Sequence, residues 1–277
     1  MAILELQLQW RNFMNKFLIL MCYYNRPNLV RFALNSVKQQ SYKNWEICFV
    51  DDGSEFSAKD IVEEILSEEK DKVYYFNTKH TTEEKKLNGG SIFGLFWTIR
   101  CQISDADYGI MLCDDDALVP DYLNNLNMYL QNGEKWCYSH YISYDPYIQN
   151  SFHPEKIIAE LSCPFITQDV NPDSILDASQ VAFSLEAFKN NNVSFGYPLT
   201  ANLDSDLYRK LFPIYGSCKF NNMYGQFKGK SQNRLEIRQH NSNLFYVNDI
   251  DIPNKPNFEI VSGKSAIWLV DSELPRG

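Results

Sequence analysis

Three observations predict an α/β fold: a mostly parallel sheet with helices on both faces. Short continuous apolar runs alternate with segments of helical spacing from Phe17 to about residue 144. Strand, helix, strand, helix in that order requires crossover connections, which make neighbouring strands parallel. The second and fourth apolar runs both end in carboxylates, "DDGS" (51–54) and "DDDA" (114–117). In such a sheet the carboxyl ends of the strands share one edge, and ligands bind there.

Each element follows from its local chemistry. "FLILMCYY" is a buried strand stopped by the turn signal "NRP". Pro27 suits a first helical turn, and Leu29, Phe32, Ala33 and Val37 continue at helical spacing. "WEICFV" is the second strand. Ser57 and Asp60 resemble a capping pair ahead of a helix carrying Ile61, Ile65 and Leu66. "KVYYF" is the third strand, "GGSIFGLFWTIRCQI" a glycine-opened helix and "YGIMLC" the fourth strand. "PDYLNNLNMYLQN" reads as a helix and "KWCYSHYISY" as a further strand. From Asp145 to Ser174 the chain is rich in Pro, Asn and Asp and reads as a long loop or lid. Short helices are expected near Ser184–Asn190 and Asp204–Leu211, and "SAIWLV" is the last apolar run. Residues 1–16 carry no clear pattern. A main domain over 17–215 is expected, with halves at 17–120 and 121–215. Residues 216–277 then form a C-terminal extension that contributes to the site.

Composition narrows the function. With 26 basic and 35 acidic residues among 277, the net charge of −9 argues against a nucleic-acid partner, which needs a basic face. Seven cysteines lack C-x-x-C spacing and sit mostly in strand-like runs, as expected of reduced, buried thiols. No apolar run has the length of a membrane span and no signal peptide is evident. A cytoplasmic protein with at most peripheral membrane contact is therefore expected.

Asp114, Asp115 and Asp116 are the feature that needs explaining. Three adjacent carboxylates repel one another, and burial raises their pKa values. A divalent cation is the first candidate to offset that cost, because Mn²⁺ and Mg²⁺ take oxygen ligands. An acidic turn capping the helix from Pro120 is the plainer alternative.

The stretch "LILMCYYNRPNLVRFALNSVKQQSYKNWEICFVDDGS" resembles the amino-terminal signature of glycosyltransferase family 2. Further matches follow in order. "LNGGSIFGLFWTI" stands at that family's glycine loop, without its usual Ala-Arg-Asn, and "IMLCDDDALVPDYL" at its metal-binding Asp-x-Asp segment. "ANLDSDLYRKL" resembles its Glu-Asp-x-x-Leu helix, with Leu203 in place of Glu, and "RLEIRQHNSN" a late Arg-x-His segment.

The resemblance implies a GT-A fold and an inverting, divalent-metal-dependent glycosyltransferase. The implied donor is a nucleotide sugar of the UDP type, and the acceptor a glycan, a lipid-linked sugar or a small molecule. It places Tyr23, Asn25, Asp51, Asp52, Asp115 and Arg238 at the nucleotide, and Asp114, Asp116 and His240 at Mn²⁺ or Mg²⁺. Asp204 is the implied base, with Asp206 as the alternate. The triple permits two metal registers, Asp114 with Asp116 or Asp115 with Asp116. For "DDGS" the plainer reading is a polar turn, and for Asp204 a helix cap. Two other functions stay open: a non-catalytic sugar-nucleotide or glycan-binding protein, and a nucleotidyltransferase. The latter should carry a Gly-rich phosphate loop after the first strand, and "CYYNRPN" is none.

Overall fold

Four parallel strands form the frame. They are β1 (Phe17–Tyr23), β2 (Trp45–Asp51), β3 (Val73–Asn77) and β4 (Tyr108–Cys113). Their spatial order is β3-β2-β1-β4, so strand order reverses between β1 and β4. A computed structural model describes residues 14–87, 92–145, 147–148, 151–152, 156–160, 168–173, 175–196, 203–229, 258–260 and 267–270. The crossover helices are α1 (Pro27–Lys38), α2 (Lys59–Ile65), α3 (Thr82–Leu87) and α4 (Phe93–Ile103).

Alternation along β1 shows why the sheet is covered on both faces. Phe17, Ile19, Met21 and Tyr23 pack in one core with Val30, Phe32 and Ala33 of α1 and Ile61, Val62 and Ile65 of α2. Leu18 and Leu20 point the other way, into a core with Trp97 and Cys101 of α4. Successive side chains of a strand face opposite sides, so a continuous apolar run is what a doubly covered strand requires. Glu46 is the exception in β2. It is 2% exposed and held by Arg100 at 2.6 Å and Lys16 at 2.8 Å, while Arg100 also stacks on Tyr74. Removing one partner of such a buried pair is costly.

The mostly parallel nucleotide-binding sheet is as expected, and beyond β4 the sheet continues largely through antiparallel pairs. After the two-residue β5 (Ala117–Leu118), α5 spans Tyr122–Leu130 and β6 Trp136–Asp145. Two short strands, β7 (Tyr147–Ile148) and β8 (Ser151–Phe152), form a hairpin, and β9 spans Lys156–Glu160. Strand β10 (Val181–Ser184) runs antiparallel between β4 and β6. It precedes α6 (Glu186–Asn190), where the sequence suggested only a helix from Ser184. Four residues are too few to show a period, and the strand is legible only from its partner. Gly109 of β4 leaves room for the Phe183 ring, since a Cβ there would lie 2.7 Å from it.

Helix α7 spans Leu203–Tyr215, longer than expected, and β11 Lys219–Gly229. Strand β11 pairs parallel with β6 and antiparallel with β5, so residues after 215 are integral to the main sheet. The strands β12 (Phe258–Ile260) and β13 (Ile267–Val270) extend it through β9. The second face holds Leu207, Tyr208 and Leu211 of α7 against Trp136 and Phe183. Among the described residues the six cysteines are free thiols, and no helix is long and apolar enough to cross a membrane.

His140 on β6 is packed against the rings of Phe220 and Tyr224, and burial lowers its pKa to about 4. The folded protein therefore resists protonating a group that the unfolded chain protonates near pH 6.5. Its neutral form supports stability above pH 6.5, and that support is lost as the pH falls from 6.5 towards 4. At 1.36 kcal/mol per pKa unit the loss is about 2–3 kcal/mol, after allowing for partial exposure. His140→Phe is expected to flatten this decline relative to wild type in urea melts at pH 7 and pH 4.5. Parallel declines would exclude His140 as its source.

Candidate active site at the carboxyl edge of the sheet

The tails of β1 and β2 are tied into one ledge. Asp51, fully buried, accepts from the amides of Ser54 (3.0 Å) and Ala58 (3.2 Å) and from the Tyr75 hydroxyl (2.9 Å). Its carboxylate thus closes the "DDGS" turn and anchors the start of α2. The expected Ser57–Asp60 cap is absent: α2 has no side-chain cap, and Ser57 accepts from the Lys59 amide instead. Asn25 takes a left-handed conformation (φ 53°), which asparagine tolerates better than most residues. Its amide donates to Ser54 Oγ, and its Oδ1 accepts from the Phe56 amide. The Tyr23 hydroxyl donates to the Phe56 carbonyl at 2.6 Å, and burial beside Asp51 pushes its pKa to about 12.

Asp52 lies beside this ledge, paired with Lys85 of α3 at 2.9 Å and accepting from Thr78. Lys85 also stands 4.0 Å over the Tyr24 ring. Gly53 has φ +67°, and a Cβ on it would fall 2.0 Å from the His80 carbonyl oxygen. The loop after β3 therefore rests directly on this turn.

At the switch point the β4 tail reaches back to β1. Asp114 Oδ2 accepts from the Tyr24 amide at 3.0 Å, and Arg26 binds Asp114 at 2.9 Å and Asp115 at 3.0 Å. Burial raises Asp114 to about 6 despite the guanidinium. Asp116 is fully buried, which pushes its pKa up, with Lys228 of β11 at 2.9 Å opposing the rise. The same ammonium lies 3.0 Å from Asp177.

Asp177 opens a short 3₁₀ turn (Ala178–Gln180) through a capping box with Ser179 and Gln180. Burial pushes its pKa up, but Lys228 and the Ser179 donors outweigh that and leave it lowered. Asp204, in the first turn of α7, is half-buried; burial and the Asp177 charge raise its pKa, while the Lys228 charge opposes the rise. Asp206 pairs with Lys210 at 2.7 Å and lies over Gly196.

The structure thus brings Tyr23, Asn25, Asp51, Asp52, Asp114, Asp115, Asp116 and Asp204 to one edge, while Arg238 and His240 lie outside the described residues. Sequence reasoning missed Arg26, Asp177 and Lys228. The capping box "DASQ" was a legible signal for Asp177, and Arg26 lay inside the "NRP" turn. Nothing local marks Lys228. Tyr138 is fully buried and donates to the Gln168 carbonyl.

The donor set suits a hard divalent ion. Ligand atoms of Cys113, Asp115 and Asp116 lie within 4.8 Å of one another. Mn²⁺ and Mg²⁺ prefer oxygen to sulfur, so within this group Asp115 and Asp116 suit such an ion better than Cys113 does. Arg26 is shared between Asp114 and Asp115, and Asp114 accepts from the Tyr24 amide as well.

The family model described as "Glycosyl transferase family 2" matches residues 18–186. No curated protein matches the chain in sequence. Among solved structures, S. aureus TarS 1-349 superposes with TM-score 0.60 at 14% identity, covering 77% of this chain and 60% of that one. Its complex with UDP-GlcNAc gives TM-score 0.62 at 13% identity, covering 78% and 59%. Its complex with UDP gives 0.61 at 13%, covering 79% and 62%. The chain therefore spans about 60% of the length of the structures it matches, and the likeness establishes the GT-A fold.

Proposed function

The chain belongs to glycosyl transferase family 2, and from that premise we propose that it is an inverting, divalent-metal-dependent enzyme. It transfers a sugar from a UDP-sugar to an acceptor hydroxyl, in the synthesis of a glycan or polysaccharide. The observation that carries this reading is the chain of charges that links Asp204 to the carboxylate edge: Asp177 and Lys228 both act electrostatically on Asp204, and Lys228 pairs with Asp116 at 2.9 Å. The TarS complexes with UDP-GlcNAc and UDP support the choice of nucleotide.

The chemistry is one displacement. The acceptor oxygen attacks the anomeric carbon while its proton passes to Asp204, and the bond from that carbon to the diphosphate oxygen breaks on the opposite face. Burial raises the Asp204 pKa, which makes it a stronger proton acceptor than an exposed carboxylate. Arg26 and Lys228 bring positive charge to an edge where negative charge grows on the leaving group. A divalent ion on Asp115 and Asp116 would act there as a Lewis acid. On this reading Tyr23, Asn25, Asp51 and Asp52 line the base and ribose subsite, with the Asp51 carboxylate shaping the turn.

A thermal-shift titration with UDP, GDP, CDP and dTDP, each with and without Mn²⁺, tests the reading. UDP with Mn²⁺ at a hundred times its Kd is expected to stabilise the protein by about 2.7 kcal/mol. That corresponds to roughly 5–10 °C in melting temperature, and Asp116→Ala should abolish it. No shift with any nucleotide would reject the donor site and leave a binding protein on a GT-A frame as the better account.

A further inference from the structure

Lys228 is the member of the site that no motif accounts for. It stands one residue from the end of β11 and is 7% exposed. Its ammonium touches two carboxylates from different parts of the chain, Asp116 Oδ2 at 2.9 Å and Asp177 Oδ1 at 3.0 Å. Both partners are held independently. The Asp116 amide donates to the Cys113 carbonyl at 3.1 Å, closing the turn after β4, and Asp177 is fixed by its capping box. An ammonium taken this far from water persists only where anions compensate it. Asp116 therefore already serves one cation. It also belongs to the group with Cys113 and Asp115 whose ligand atoms lie within 4.8 Å. A second cation entering that group must share Asp116 and meets like charge at close range.

We infer that Lys228 is a positioning residue that competes with a divalent cation for Asp116, so that the ion is held firmly only when a nucleoside diphosphate adds its own oxygens. Asp177 is the second anchor, which draws part of the ammonium away from Asp116. The inference rests on the metal-dependent reading proposed above and deepens it: ion and nucleotide load together, and the ion is released with the product.

The test is a titration of Mn²⁺ into the full chain, with free Mn²⁺ followed by electron paramagnetic resonance, with and without UDP. Wild type is compared with Lys228→Gln, Lys228→Met and Asp177→Asn. Without UDP, both lysine variants are expected to bind Mn²⁺ about tenfold tighter than wild type, because one buried positive charge is gone. Asp177→Asn should bind severalfold more weakly, because Lys228 then has Asp116 as its remaining carboxylate partner of the two. UDP should narrow these gaps. A purely structural role would instead weaken binding in all three variants by loosening the site.

Unchanged or weaker binding in folded Lys228→Gln and Lys228→Met overturns the inference. Should neither fold, Asp177→Asn decides, and unchanged or tighter binding there overturns it. Tight binding by wild type without UDP rejects the role of Lys228 and leaves the metal reading standing. Absence of Mn²⁺ binding in every protein, with or without UDP, rejects the metal reading itself.

Discussion

Asp204→Asn is expected to lower kcat by about 10²–10⁴-fold, the usual contribution of a positioned base, with the KM for donor changed by less than a few-fold. The amide keeps the shape and the contact to the Ser205 amide (2.9 Å in wild type), so the α7 start should survive. What it cannot do is accept the acceptor proton. A loss confined to kcat marks an interaction made in the transition state. Asp206→Asn is the matched control, since that carboxylate is tied to Lys210 on an exposed face and its loss should leave kcat within about twofold. Initial rates with saturating donor separate the two. Equal losses in both variants, or none in Asp204→Asn, would move the base elsewhere.

Gly53→Ala is expected to destabilise the protein by about 2–4 kcal/mol, the range reached when backbone strain adds to a forced displacement. The left-handed φ of +67° alone costs a residue with a Cβ about 1–2 kcal/mol. The new methyl would also stand 2.0 Å from the His80 carbonyl oxygen, a backbone atom with no rotamer to escape into. Either the "DDGS" turn or the loop after β3 must move. That loop carries Thr78, whose amide donates to the Asp51 carbonyl at 2.9 Å and whose hydroxyl donates to Asp52. UDP affinity should fall at least about tenfold along with the melting temperature, because the ledge and its support shift as one. Calorimetry of UDP binding beside a thermal melt checks both. A variant that melts with wild type and binds UDP normally would show that this contact does not organise the ledge.

The two residues illustrate different degrees of legibility. The glycine sits in a motif that the sequence displays openly, "DDGS" after an apolar run, and a turn there follows from composition alone. Why the third position must be glycine does not, because the atom that excludes a side chain belongs to His80, far along the chain. The "DSDLYRKL" pattern offers Asp204 as the candidate base and Asp206 as its alternate. What the structure adds is their partners, Lys210 for Asp206 and the Asp177 and Lys228 charges near Asp204, on a helix packed against Trp136 and Phe183.

The parallel half of the sheet, the edge where "DDGS" and "DDDA" meet, and the acidic character of that edge were determined by the sequence itself. They follow from patterns a few residues long: apolar runs, helical spacing and turn residues, each favoured by local sterics and burial. The antiparallel strands beyond β4, the sharing of Arg26 between Asp114 and Asp115, and the bridge from Lys228 to Asp116 and Asp177 were decided by tertiary structure alone. Each joins residues distant in the chain, and a buried ion pair is settled by which charges the packed elements bring together. Local sequence carries no record of that meeting, which is why the site's carboxylates could be read in advance and the cation that holds two of them could not.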